Sequence, residues 1–301
     1  MKTFVKKLES AIKAKLGGDI NIRTQEIIKN NDVSKTALNI YRQEDRCIAN
    51  IYIDSFYRLY MQGALSLEEI VSAVLLTYEE KAIDTISTND IIESISDYNK
   101  CKDKLFVKLL NAELNENYLS NKTYIQILDL ALVLYYEVDT VDNTVSSVAI
   151  NQNLFNSWGI EESVSEVIKN TLYYQSFINP AKIDCLYEAI HKLNPDIVIP
   201  DIPDGKSDIQ IVTTNTGING AVAMLYEGVL EQVADVIDDT KLLIIPSSIH
   251  ETLIMPYRMF ESELADFVKN VNATVVLPEE VLSNNIYVYD TETKVFNIWK
   301  E

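Results

Sequence analysis

Serine, histidine and glutamate, which together can carry out nucleophilic hydrolysis, lie close along the segment PSSIHE at residues 246–251. A working pair requires the imidazole to accept the proton of the hydroxyl while a third group orients the ring. If the segment is extended, Ser248 and His250 point to the same face, because side chains alternate along a strand. One hypothesis is therefore a hydrolase-like enzyme that uses His250 with Ser248 and Glu251.

The other hypothesis, which we favour, treats this segment as a polar corner between two strands. A serine and a histidine so close along an extended chain seldom reach the geometry of a nucleophile and its base. The sequence also contains no Gly-x-Ser-x-Gly elbow that would expose a strained nucleophile. We expect Pro246 to end one strand, and Ser247 and Ser248 to bond their own turn. The next strand then begins at His250 and Glu251, and no catalytic residue is predicted.

The segment NTGING at residues 215–220 places two glycines after an apolar run that is typical of a strand. It lacks the third glycine and the Lys-Ser/Thr ending of a phosphate-binding loop, so we interpret it as a turn. Polar loops carried by a rigid sheet are common places for binding residues. The candidate binding surface therefore comprises Ser247, Ser248, His250, Glu251, Asn215 and Asn219.

The sequence predicts neither a metal site nor another cofactor. Of the two histidines, His191 ends a predicted helix, where a cation suits the negative end of the helix dipole. Asp201, Asp204 and Asp208 surround Gly205, but the alternating ligands and closing glutamate of a calcium loop are missing. We interpret this acidic stretch as a solvated linker.

The charge of the chain restricts its partners. Its 26 Lys and Arg against 45 Asp and Glu give a formal net charge of -19. Direct binding to nucleic acid is not expected, since neutralising phosphates requires a basic surface. The predicted partner is a protein of basic or neutral charge. A homo-oligomer, formed by pairing of an apolar edge strand at residues 124–138, is a further hypothesis.

The sequence gives no indication of a membrane or of secretion. The longest apolar run is interrupted by Asp129 and is shorter than the roughly 20 residues that a membrane span needs. The first sixteen residues lack the continuous apolar core of a secretory signal. Cys47, Cys101 and Cys185 form no disulfide pattern. We therefore expect a cytoplasmic protein.

The hydrophobic pattern predicts the elements that must carry these loops. Phe4, Leu8, Ile12 and Leu16 recur at helical spacing, and a hairpin is expected to turn at residues 30–32. Ser66 with Glu69 forms the signature of a capping box before a helix. Further along, AVAMLY is predicted to be a strand, EEVLS a short helix, and Cys185 part of a helix.

The order of the elements indicates an α+β fold with mixed or antiparallel sheets flanked by helices. The stretch at residues 195–208 is rich in proline and aspartate and has no helical periodicity, unlike the sequence around it. We therefore predict an N-terminal α+β domain at residues 1–194, a linker at 195–208, and a C-terminal α+β domain at 209–301. Asp129 lies within an apolar strand, and if it is buried it requires hydrogen-bond partners.

Several stretches together resemble the bacterial family called Domain of Unknown Function 5688. They include LDLALVLYYEV, INQNLFNSWGI, VTTNTGINGAVAMLYEGVL, LLIIPSSIHETLIMP and VNATVVLPEEVLSNNIYVYD. The most distinctive of them are PSSIHE and EEVLSNNIYVYD. The resemblance implies a cytoplasmic bacterial protein from genomes rich in mobile elements. It implies no activity and no catalytic residue.

These observations favour a non-enzymatic interaction or regulatory protein with an acidic surface. A sharper version is an acidic decoy that occupies the basic groove of a nucleic-acid-handling or defence complex. The alternatives are the hydrolase-like enzyme and a self-assembling structural protein. An enzyme would require His250 to lie in a concave pocket beside a carboxylate from a distant part of the chain.

Overall fold

The computed structural model of the chain describes residues 1–17, 19–43, 50–82, 88–141, 144–193, 209–246 and 248–300. Its α-helices are α1 Lys2–Leu16, α2 Asp54–Met61, α3 Leu67–Ala82, α4 Thr88–Ile95, α5 Tyr98–Cys101, α6 Glu116–Leu119, α7 Gln152–Ser157, α8 Val164–Ile178, α9 Leu186–Leu193, α10 Val229–Ile237 and α11 Leu264–Thr274. Its strands are β1 Asn21–Ile28, β2 Ser34–Tyr41, β3 Ile51–Tyr52, β4 Leu105–Asn111, β5 Tyr124–Ile127, β6 Leu130–Val141, β7 Thr144–Ala149, β8 Ala181–Cys185, β9 Gln210–Thr214, β10 Lys241–Ile245, β11 Thr252–Pro256, β12 Tyr287–Asp290 and β13 Val295–Ile298. Short 3₁₀ helices cover Asn30–Asp32, Lys102–Lys104, Gly220–Leu225 and Tyr257–Met259.

The helices and antiparallel sheets confirm the predicted α+β class. One sheet has the order β1-β2-β3, a second has β13-β12-β10-β11-β9-β8, and a third has β4-β6-β5 with β7 also paired to β6. Every strand pairing within the described residues is antiparallel. Short turns join some of these pairs, such as β5 with β6 and β12 with β13, and a short turn permits only an antiparallel pair because parallel strands need a longer crossover.

The described chain forms two compact units. Unit 1 comprises Met1–Lys29 and Val33–Asp97, and unit 2 comprises Asn30–Asp32 and Tyr98–Glu301. The linker predicted at residues 195–208 lies outside the described residues. Strands β8 and β9, which precede and follow it, pair in one sheet of unit 2. The compact units of the described residues therefore meet in the chain at Asp97, and the domain division at residues 195–208 stays a prediction.

Unit 1 is held by the amphipathic helix α1. Phe4, Leu8 and Ile12 are buried, as the spacing predicts, and they share a core with residues of β2 and α3 such as Leu38 and Ile70. The basic side chains of α1 occupy the other helix face and are exposed. The predicted hairpin is confirmed, with β1 paired to β2 on either side of Asn30–Asp32. The apolar stripe of α1 thus serves as packing surface within this unit.

The structure corrects several predicted elements of unit 2. AVAMLY forms the 3₁₀ helix Gly220–Leu225 instead of a strand, and EEVLS forms no helix. Cys185 ends β8 and does not lie in a helix. The described cysteines, Cys101 and Cys185, form no disulfide, and Cys47 lies outside the described residues.

The apolar segment at residues 124–138 contains two strands: β5, which lies at the end of the strand order β4-β6-β5, and most of β6, which lies inside that order. It forms a hairpin of β5 and β6, in which Leu128 adopts a positive φ of 56°. β6 pairs with β4 along one side and with β5 and β7 along the other. β6 is thus paired on both sides and β5 provides the edge of this sheet, so self-assembly through residues 124–138 stays a hypothesis that concerns β5.

Two capping boxes determine where long helices begin. The predicted box of Ser66 and Glu69 is confirmed, with the Glu69 carboxylate accepting from Ser66 N at 2.8 Å. A second box precedes α8: Ser163 Oγ accepts from Glu166 N at 3.3 Å, and the Glu166 carboxylate accepts from Ser163 N at 2.8 Å. The Ser163 hydrogen bonds hold the pKa of Glu166 below its usual value. The same Ser-x-x-Glu signature was present in the sequence and was overlooked.

We expect Ser163→Ala to lower the free energy of unfolding by about 1 kcal/mol, because the first turn of α8 loses an acceptor for its free N–H groups. Urea denaturation followed by circular dichroism measures this loss. Ser176→Ala is the matched control, since the Ser176 hydroxyl donates to the Tyr173 carbonyl near the end of the same helix, away from the first turn. Equal losses in the two variants would contradict a capping role.

Candidate functional site

The candidate site is a corner of unit 2 where the segments NTGING, PSSIHE and residues 277–281 converge. We call these three segments the PSSIHE corner. β9 and β11 are antiparallel neighbours, with Val212 opposite Thr252, so the end of β9 and the start of β11 lie at the same edge of the sheet. NTGING follows β9 and PSSIHE precedes β11, and sheet register therefore brings them together.

Backbone hydrogen bonds hold the three segments in place. Ala221 N donates to Ile249 O at 3.2 Å, and Ile249 N donates to Glu280 O at 2.9 Å. The Thr213 hydroxyl donates to His250 O at 2.7 Å. A Cβ on Gly220 would clash with Thr213 Oγ1 and would lie 2.6 Å from His250 O. Glycine is therefore required where NTGING approaches PSSIHE.

The His250 ring is held between two of these segments. Its Nδ1 accepts from Asn219 N at 3.2 Å, which leaves the ring proton of the neutral tautomer on Nε2. Nε2 faces Glu280 Oε1 at 3.7 Å. The side chains of His250 and Glu280 are 34% and 35% exposed. The Asn219 hydrogen bond thus orients the ring, and the ring remains accessible to solvent.

The structure does not assemble the Ser-His pair of the hydrolase hypothesis. Ser248 Oγ accepts from His250 N at 3.0 Å, while Ser248 N donates to Glu251 O at 3.2 Å. These bonds are the local turn bonds that we predicted for a corner. The hydroxyl is therefore bound to the backbone of His250 and not to the imidazole.

The remaining predicted residues occupy different places. Glu251 is half-buried and contributes its carbonyl to the turn. Asn215 is exposed at the far end of NTGING, where its N–H donates to Pro180 O at 3.0 Å. Ser247 lies outside the described residues. Glu280 was missed as a partner of His250, although it belongs to the distinctive stretch EEVLSNNIYVYD.

Side chains of the same distinctive stretch surround a buried carboxylate, that of Asp129, which lies in the turn between β5 and β6. Asp129 is 4% exposed and accepts from Ser283 Oγ at 2.5 Å, Asn285 Nδ2 at 2.9 Å and Tyr287 OH at 2.9 Å. Burial, followed by the nearby Asp129 carboxylate, raises the pKa of Tyr287, so its hydroxyl stays protonated and donates. The expectation that a buried Asp129 would be hydrogen-bonded is confirmed.

Asparagine side chains hold the backbone of this stretch from several directions. Asn111 Nδ2 donates to Leu282 O at 2.9 Å, and Asn272 Nδ2 donates to Ser283 O at 2.8 Å. Asn31 Nδ2 donates to the carbonyls of Pro278 and Val281, at 2.8 and 2.7 Å. Because irregular backbone must satisfy its buried carbonyls, these amides explain how the stretch lacks regular structure and stays packed.

Two cavities of unit 2 adjoin α10 and were missed by the sequence reasoning. The larger, of about 670 Å³, is lined by Glu231, Ala234, Asp235, Asp238, Asp239, Thr240 and Thr291. The other, of about 330 Å³, is lined by Ile127, Met224, Leu225, Tyr226, Glu227, Gly228, Leu230, Glu231, Tyr289 and Phe296. The run VADVIDD could have indicated the first cavity. It places aspartates at the C-terminal end of a helix, where they are unfavourable for stability and therefore point to another role.

Metal binding finds no support in the described part of the chain. No group of three or more His, Cys, Asp or Glu side chains within it is placed to hold an ion. Asp201, Asp204 and Asp208 lie outside the described residues. None of the helices that the structure describes is long and apolar enough to cross a bilayer.

Comparison with known proteins gives a family but no activity. The model of the family of unknown function DUF5688 matches residues 1–291, which is nearly the whole chain. Neither the curated proteins nor the solved structures include a match. Function must therefore be inferred from the site itself.

Proposed function

We propose that the chain, which belongs to the DUF5688 family of unknown function, is a non-enzymatic interaction protein that binds a protein partner through the PSSIHE corner. The observation that carries this proposal is that Ser248 Oγ accepts a hydrogen bond from the backbone N–H of His250. The corner therefore presents an oriented, accessible imidazole without an activated nucleophile. Such a preorganised polar surface suits recognition, because little side-chain freedom is lost on binding.

The partner we propose is basic. The chain has a formal net charge of -19, and Glu280 lies beside His250 with Glu251 next to it in sequence. Complementary charge accelerates association and selects the partner more than it adds affinity. The finer form of the proposal is a decoy in a bacterial cytoplasm, which occupies the basic groove of a nucleic-acid-handling or defence complex. The acidic charge supports this form of the proposal.

A hydrolase-like enzyme is the second candidate, and the His250–Glu280 pair favours it. A carboxylate that faces one ring nitrogen is the arrangement that orients a catalytic histidine. Here, however, the other ring nitrogen accepts from Asn219 N, so it is already occupied. In this arrangement neither nitrogen is free to accept a proton from a nucleophile. The interaction hypothesis therefore fits the contacts better.

The test is affinity capture from the native cell with tagged wild type, His250→Ala and His191→Ala, followed by mass spectrometry. His191 is an exposed histidine on α9, so its variant controls for loss of an imidazole away from the corner. We expect His250→Ala to reduce capture of the partner by about tenfold or more, as for a central interface residue. His191→Ala should capture the partner as wild type does.

Two results would overturn the proposal. Equal capture by both variants would place the interface away from the corner. Capture no greater than that of an unrelated protein of equal charge would remove the interaction function itself. In the second case, turnover of ester or peptide substrates that depends on His250 would establish the enzyme instead.

A further inference from the structure

The two cavities beside α10 share Glu231, and we call their combined linings the α10 groove. Apolar side chains, including Ile127, Leu230 and Phe296, line one end of the groove. Carboxylates line the other end. All of these residues belong to unit 2. An apolar cavity and an acidic one therefore adjoin the same residue of α10, Glu231.

The acidic end has an electrostatic preference for cations. Asp235 and Asp238 are exposed near the C-terminal end of α10, where the helix dipole is also negative. Asp238 follows the last residue of the helix with a left-handed φ of 55°. The carboxylates repel one another and the negative end of the helix dipole. This repulsion lowers the stability of the fold when no cation is bound.

Two basic side chains of the chain itself show how a cation is accommodated. Lys294 Nζ contacts Glu231, and Arg258 Nη1 lies 2.9 Å from Asp239 Oδ2. Burial raises the pKa of Glu231, but hydrogen bonds from Lys294 and Tyr289 outweigh it, so the net pKa lies below the usual value. Glu231 is thus an ionised carboxylate at the junction of the two cavities.

The apolar end has the size of a pocket for one large side chain. Its volume of about 330 Å³ lies at the lower limit of ordinary ligand pockets, which is about 300 Å³. A leucine or phenylalanine that entered it would contact Ile127, Leu230 and Phe296. Carboxylates at the mouth would disfavour an acidic neighbour of that side chain and favour a basic one.

We propose that the α10 groove binds a peptide segment of a partner in which one large apolar residue is followed by lysines or arginines. The apolar residue fills the smaller cavity, and the basic residues contact Asp235 and Asp238. Charge complementarity selects this occupant over a second copy of the chain, whose net charge is also -19. The inference does not depend on the PSSIHE corner, since none of the groove residues belongs to it.

Fluorescence anisotropy of labelled synthetic peptides tests the proposal. The probe carries one phenylalanine followed by a run of lysines; one control replaces the phenylalanine with alanine, and another replaces the lysines with glutamates. We expect the first control to bind about tenfold more weakly, because a buried aromatic anchor dominates such interfaces. The glutamate peptide should not bind, and added salt should weaken binding of the probe, because salt screens the attraction between charges.

Variants of the protein separate the two ends of the groove. Ile127→Trp narrows the apolar cavity. It should lower the affinity for the phenylalanine peptide to that for the alanine peptide. Asp235→Asn with Asp238→Asn should reduce its affinity and its salt dependence, and asparagine tolerates the left-handed φ of Asp238. Thermal unfolding of each variant shows that it is folded.

His250→Ala is the matched control, and it should bind the probe as wild type does. Equal binding of the phenylalanine and alanine peptides would overturn the proposal, since the attraction would then be charge alone. Probe binding unchanged in both groove variants would also overturn it. Loss of probe binding in His250→Ala would transfer the peptide site to the corner.

Discussion

Replacing Asp129 with alanine is expected to lower the free energy of unfolding by about 3 to 5 kcal/mol, because each buried donor left without an acceptor costs about 1 to 3 kcal/mol. Asp129 accepts from Ser283, Asn285 and Tyr287, and both Ser283 and Tyr287 are fully buried. The substitution also leaves a cavity. Chemical denaturation, with the slope checked for two-state behaviour, measures the loss.

Two further variants identify the cause of that loss. Glu113→Gln removes an exposed carboxylate whose charge also acts on Tyr287, and it should change stability by less than about 0.5 kcal/mol. Tyr287→Phe removes one of the three donors, so in combination with Asp129→Ala its effect should be smaller than alone. Additive effects would show that the Tyr287 hydroxyl does not depend on Asp129.

Gly220→Ala is expected to lower the free energy of unfolding by about 2 to 3 kcal/mol, as overpacking of a close contact does. The added Cβ would lie 2.6 Å from His250 O and 2.7 Å from Thr214 N, and it would also clash with Thr213 Oγ1. Backbone atoms at two of these contacts cannot rotate away. The NTGING turn must therefore move away from PSSIHE, which changes the surroundings of His250.

The measurement combines denaturation with NMR of the His250 ring. Gly217→Asn is the control, because Gly217 has a φ of 69° that asparagine tolerates and no neighbour within 4 Å of an added Cβ. It should cost less than about 1 kcal/mol and leave the His250 resonances unchanged. A Gly220→Ala protein with wild-type His250 resonances would show that the two segments do not depend on this contact.

Local sequence patterns were sufficient to predict an element where its structure depends on contacts among its own residues. The spacing of Phe4, Leu8 and Ile12 predicted α1 and its buried face, and Ser66 with Glu69 predicted the start of α3. The interpretation of PSSIHE as a turn also agrees with the Ser248 bonds. In each case the interacting groups are a few residues apart, so the sequence contains the whole interaction.

Patterns failed where distant contacts override local preference. AVAMLY is apolar enough for a strand, yet it forms a 3₁₀ helix in which Ala221 N bonds Ile249 O from the PSSIHE segment. EEVLS has helical composition, but amides from Asn31, Asn111 and Asn272 bind carbonyls within or beside it. These partners come from other elements, and their positions do not follow from the segment's own residues.

The sequence by itself determined the α+β class, the acidic charge and the family resemblance. Only the tertiary structure decided that His250 faces Glu280 and Asn219, that Ser248 bonds the backbone, and that α10 carries a groove. The physical reason is the range of the interactions. Net charge is a sum over all residues, and helical periodicity depends on residues a few positions apart, so both can be read from the sequence. The site, in contrast, depends on the register of β9 against β11, which brings separate loops into contact.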